Sequence, residues 1–116
     1  MSSYTIERKE MYSEILFLED ITLDISQIMK EEIKAILAEE DIRYLAVNLE
    51  KVEFMDSSGL GLLISLFKEV TEKKGKIVFY GLGEYVVKLV NLVKLDSIFT
   101  IVSSEAEAKK ALTAHE

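Results

Sequence analysis

Short apolar runs alternate with longer stretches of helical periodicity along this chain, and that alternation limits the fold more than any other feature of the sequence. Tyr44 to Leu49 and Lys76 to Tyr80 are brief, apolar and bounded by charge, as strands covered on both faces of a sheet are. From Ile25 the apolar residues Ile25, Ile28, Met29, Ile33, Ile36 and Leu37 fall on one helical stripe, with Gln27, Lys30, Glu31 and Lys34 opposite. A second helix is predicted from about Ser57 to Lys74, with Lys73 and Lys74 suited to its negative end and Gly75 supplying a left-handed stop. Gly81 to Gly83 turns the chain into a third helix over Glu84 to Val93, and Ile98 to Val102 is a last short strand. Ser104 with Glu107 is a capping-box pattern ahead of a final helix with Ala108, Ala111 and Leu112 on one face. Upstream, Thr5 to Lys9 and Ser13 to Leu18 read as a hairpin turning around Glu10 to Tyr12. The expected fold is α/β: a mixed, mostly parallel sheet opened by an N-terminal hairpin and packed with about four helices.

A chain of 116 residues, 49% hydrophobic and without repeats or prolines that mark a linker, is expected to form a single domain over 1–116. Its net charge of -7 disfavours nucleic acid, which requires a basic surface to displace counterions. Lys30, Lys34, Lys73 and Lys74 are interleaved with Glu and read as solvated helix faces. The acidic balance instead favours a basic protein surface as partner. Met1 to Tyr12 holds no apolar core of a signal peptide, and the most apolar stretch, Leu60 to Phe67, falls far short of the ~20 residues of a membrane span. With no cysteine, the expectation is a soluble cytoplasmic protein without disulfides or thiolate metal sites.

Enzyme chemistry finds little support. The sole histidine, His115, stands at the C-terminus, where it is poorly placed to serve as the base of a triad. A nucleophile elbow needs glycine two positions before and two after the serine, and Met55 and Asp56 stand two before Ser57 and Ser58 instead. Gly81-Leu82-Gly83 lacks the third glycine of a dinucleotide fingerprint, and no Gly-Lys-Ser/Thr phosphate loop is present. Among 21 acidic residues, neighbours such as Glu19, Asp20, Asp24, Glu50, Glu53 and Asp56 define neither a metal site nor an acid/base pair. No cofactor is expected.

One segment stands apart: Phe54-Met55-Asp56-Ser57-Ser58-Gly59-Leu60-Gly61, between a strand and an apolar helix. Asp56, Ser57 and Ser58 are all favoured N-cap residues. Gly59 and Gly61 near the helix start each cost roughly 1 kcal/mol of helix propensity relative to alanine, which capping alone does not require. Without Cβ atoms there, another backbone, a partner or a phosphate can approach the helix N-terminus, where the dipole favours negative charge.

This segment resembles the signature of the STAS domains of bacterial anti-sigma factor antagonists. Asp41-Ile42-Arg43, Val47-Asn48-Leu49-Glu50 and Leu92-Val93-Lys94-Leu95 follow that family's order and spacing. The resemblance implies a non-catalytic switch in which Ser57 is the phosphoacceptor and Asp56, Ser58, Gly59 and Gly61 shape its surroundings. It implies that the unphosphorylated domain binds an anti-sigma factor serine kinase with a histidine-kinase-like ATPase fold, freeing a sigma factor, and that a serine phosphatase reverses the modification. Asp20 and Thr22 are partner-contact candidates in Leu18 to Asp24, a loop that departs from the family by lacking a glycine and placing Thr22 near the expected aspartate. Capping of the first helix by Thr22 or Asp24 is the alternative role. Leu62 and Leu66, an i and i+4 pair beside the stripe Leu60, Leu63, Ile64, Phe67 and Val70, are either a docking ridge or the seat of an adjacent helix. A non-switching STAS scaffold in a signalling assembly and a nucleotide-binding STAS module are the competing functions.

Overall fold

Residues 3–114 are described by a computed structural model; the expectation for His115 lies outside them. The hairpin forms from β1 (Tyr4–Arg8) and β2 (Ser13–Phe17), antiparallel, with Ile6 opposite Ile15. Then follow α1 (Leu23–Glu39), β3 (Tyr44–Asn48), α2 (Ser57–Glu72), β4 (Lys76–Tyr80), α3 (Glu84–Leu92), β5 (Thr100–Val102) and α4 (Glu105–Thr113). The sheet order is β1-β2-β3-β4-β5, and every pair after the hairpin is parallel. The expected fold class is therefore the observed one.

Strand alternation sorts the side chains into two layers. Ile15, Phe17, Leu45, Val47, Ile77 and Phe79 share the main core with α1, α2 and α3. Ala46, Val78 and Tyr80 face the other way, under Ala108 and Leu112 of α4. Beside α4 lies a buried polar group: Asn48 Nδ2 and the Tyr80 hydroxyl both donate to Glu14 Oε2, at 3.3 and 2.9 Å. Burial and the neighbouring Glu14 carboxylate hold the Tyr80 phenol well above its usual pKa.

Three local expectations change. The left-handed residue after α2 is Lys74 (φ 63°), not Gly75. Gly75 is required for space, since a Cβ there would lie 2.1 Å from the Arg43 carbonyl oxygen. The last strand starts at Thr100 because a 3₁₀ turn over Leu95–Ser97 carries Ile98 and Phe99 N–H groups back to the Leu95 carbonyl. Leu62 and Leu66 form no surface ridge: both are buried, because α1 packs along α2 and closes off that face. The final cap does form, with Glu107 N–H donating to Ser104 Oγ at 3.2 Å, while the Glu107 carboxylate takes the N–H of Ser103.

Candidate functional site

At the ends of β2 and β3 the chain makes two loops that are stitched together before their helices begin. Ile21 and Met55 form a parallel bridge, with Ile21 N–H donating to the Phe54 carbonyl at 3.2 Å and Asp56 N–H to the Ile21 carbonyl at 3.3 Å. Asp20 Oδ1 accepts from the N–H groups of Glu53 and Phe54 at 2.9 and 3.1 Å, so its carboxylate ties one loop to the other. This close approach needs Gly59, where a Cβ would lie 2.8 Å from both the Ile21 carbonyl oxygen and Met55 Cβ. Gly59 thus serves packing inside the chain and is buried. Gly61 differs: it is exposed, and a Cβ there would meet nothing within 4 Å.

Asp56 is the N-cap of α2, its Oδ1 accepting from Ser58 N–H at 3.0 Å and Gly59 N–H at 3.2 Å. Its Oδ2 accepts from Leu23 N–H, the first residue of α1, at 3.0 Å. One carboxylate therefore satisfies donors at the N-termini of two long helices, which converge there. The Ser58 hydroxyl also donates to Asp56 Oδ1. That bond first, and the backbone donors Gly59, Leu23 and Ser58 after it, hold the Asp56 carboxyl below its usual pKa, against a smaller desolvation effect.

The two serines are consequently unequal. Ser58 is half-buried with its hydroxyl committed to Asp56; Ser57 is exposed, and its hydroxyl makes no hydrogen bond among the described residues. Thr22 takes the N-cap position of α1, but its hydroxyl donates to the Asp24 carboxylate and caps nothing. Its carbonyl accepts from Ile25 and Ser26 instead. The site thus gathers Asp20, Thr22, Asp56, Ser57, Ser58, Gly59 and Gly61, and leaves Leu62 and Leu66 in the core.

Sequence reasoning passed over Leu23 and Tyr85. Leu23 is 73% exposed in the first turn of α1, and Tyr85, exposed at the start of α3, packs on the exposed Phe54 ring at 5.1 Å between centroids. An apolar residue in a helix's polar first turn is the signal that marks each of them. Around them the three loops 18–24, 49–56 and 81–84 carry seven carboxylates, Glu19, Asp20, Asp24, Glu50, Glu53, Asp56 and Glu84, against one lysine, Lys51. Among the described residues no group of side chains has the makings of a metal site, and no helix is long and apolar enough to cross a membrane.

A five-stranded sheet opened by a hairpin, with an exposed serine where two helix N-termini meet, defines a small module with its loops gathered at one end of the sheet. The STAS domain family model matches residues 14–108, and the chain belongs to that family. An anti-sigma-B factor antagonist of Listeria monocytogenes is 28% identical over 101 residues, which cover 87% of this chain and 88% of that one. A STAS domain anti-sigma-factor antagonist protein of Planctomyces limnophilus superposes with a TM-score of 0.86 at 20% identity, over 96% of this chain and 98% of that one. The phosphorylated form of the Bacillus cell fate determinant SpoIIAA superposes at 0.74 with 18% identity, over 93% and 97%.

Proposed function

We propose that the chain is an anti-sigma factor antagonist of the bacterial cytoplasm, a single-domain, non-catalytic switch that acts by protein contact. Unphosphorylated, it binds an anti-sigma factor serine kinase and so frees a sigma factor; phosphorylation of Ser57 releases the kinase, and a serine phosphatase restores binding. The observation that carries this reading is the inequality of the serines: Ser57 is exposed with its hydroxyl uncommitted among the described residues, while Ser58 is held by Asp56. The Listeria relative is itself an anti-sigma-B factor antagonist, and SpoIIAA has a phosphorylated form.

Electrostatics supports the same reading. A phosphate adds roughly -1.5 to -2 charge at pH 7 to a face already rich in carboxylates. Inside the free chain the dipoles of α1 and α2, whose N-termini converge at Asp56, offset part of that charge. A desolvated partner surface against Gly61 has no such compensation. The test is mass analysis of the protein isolated from its native cell, split into kinase-bound and free pools. The proposal expects unmodified Ser57 in the bound pool and phosphorylated Ser57 in the free pool. Phosphate on Ser58 or Thr22 instead, or on the kinase-bound chain, contradicts it.

A further inference from the structure

The three loops at the Ser57 end of the sheet hold seven carboxylates and one lysine, a net -6 in a chain of net -7, so the rest of the molecule is close to neutral. The same loops, with the helix turns they open, expose Leu18, Leu23, Phe54 and Tyr85, four of the ten large hydrophobics exposed among the described residues. Apolar side chains ringed by charge are the pattern of a docking surface with an apolar centre and a polar rim. Three of the four are also held in place by the backbone or a neighbouring ring. Leu23, 73% exposed, opens α1 with its N–H on Asp56 Oδ2. Phe54 is tied to the facing loop, its N–H on Asp20 and its carbonyl accepting from Ile21, and Tyr85 packs against the Phe54 ring. Side chains fixed in this way lose little freedom on binding. Leu23 follows β2 and Tyr85 follows β4, the strands on either side of β3, so they stand on the two flanks of the loop that leads to Ser57.

We propose that Leu23 and the Phe54–Tyr85 pair are the two anchors by which this face is held, and that they enter an apolar groove rimmed with Lys and Arg on the partner protein. The inference rests on the proposed function, the partner being its anti-sigma factor kinase. Charge selects the occupant. A second copy would set one acidic face against another, and nucleic acid or an anionic lipid surface would be repelled in the same way, whereas a basic protein surface is complementary. The two kinds of residue contribute differently. Carboxylates on the rim steer the encounter and set the association rate, while desolvated anchors at the centre set the dissociation rate.

The test is the measurement of association and dissociation rates between the anti-sigma factor kinase and the full chain, unsubstituted and with single substitutions at exposed sites. Leu23→Ala and Tyr85→Ala each weaken binding by about tenfold, chiefly through faster dissociation. Tyr85→Phe, which keeps a ring on Phe54, retains the affinity. Glu53→Gln slows association by about twofold, makes it less sensitive to salt and leaves dissociation unchanged. Leu92→Ala, 78% exposed at the far end of α3, changes neither rate. If the unsubstituted chain binds the kinase and both alanine variants at Leu23 and Tyr85 bind it equally well, this inference is overturned and the proposed function stands. A uniform loss in every variant, Leu92→Ala included, overturns the inference as well. An unsubstituted chain that the kinase does not bind overturns both.

Discussion

Asp56 serves two helices with one carboxylate, and its ionisation follows from that service. Its folded pKa is lowered, so its contribution to stability is present above the ordinary aspartate value of about 3.9 and is lost as pH falls through the lower folded value. Asp56→Asn, which keeps the shape but loses the charge, is expected to melt at a lower temperature at neutral pH. Its melting temperature should also fall less steeply in acid, and thermal melts in a pH series check both points. The glycines make a second prediction at this scale. Gly59→Ala forces its Cβ onto the Ile21 carbonyl and should destabilise by about 1–3 kcal/mol. Gly61→Ala meets open space and should stabilise the free chain by about 0.5–1 kcal/mol through helix propensity, yet weaken partner binding. Urea unfolding and a binding assay on the same two variants separate packing from contact. The sequence showed that both glycines were costly to the helix, but a glycine needed for a neighbouring backbone looks the same in sequence as one needed for a partner.

Between elements, the seam of α1 and α2 decides what α2 can offer to a partner. Leu66 is fully buried, so Leu66→Ser should cost about 3–5 kcal/mol, from the cavity and an added hydroxyl without its solvent, read as a shift of the urea midpoint. Helix periodicity placed Leu62 and Leu66 on a second apolar face but could not name what covers it, because an exposed ridge and a helix–helix seam have the same spacing. The strands were legible for the opposite reason. A run such as Lys-Ile-Val-Phe-Tyr is apolar on both sides, and β4 is indeed covered on both, by the helical layer and by α4. Boundaries were lost where backbone rather than side chains sets them: Lys74 and Lys94 adopt positive φ without the glycine that normally announces it.

Over the whole molecule, the order of elements and the parallel sheet were readable from alternating periodicities, while the joining of the two loops through Asp20, Ile21 and Asp56 was not. Those contacts link residues more than thirty positions apart, and no local pattern records them. The fold collects acidic loops at the end of the sheet that bears Ser57, so binding there should weaken as salt rises. The central claim is that phosphate at Ser57 acts against the partner and not against the fold. Calorimetric titration of the anti-sigma factor kinase with unmodified and with Ser57-phosphorylated chain tests it most directly. A mismatch of several kcal/mol in a desolvated contact, at 1.4 kcal/mol for each factor of ten, predicts an affinity loss of roughly a hundredfold or more with the circular dichroism unchanged. Equal affinity for the two forms would contradict the account.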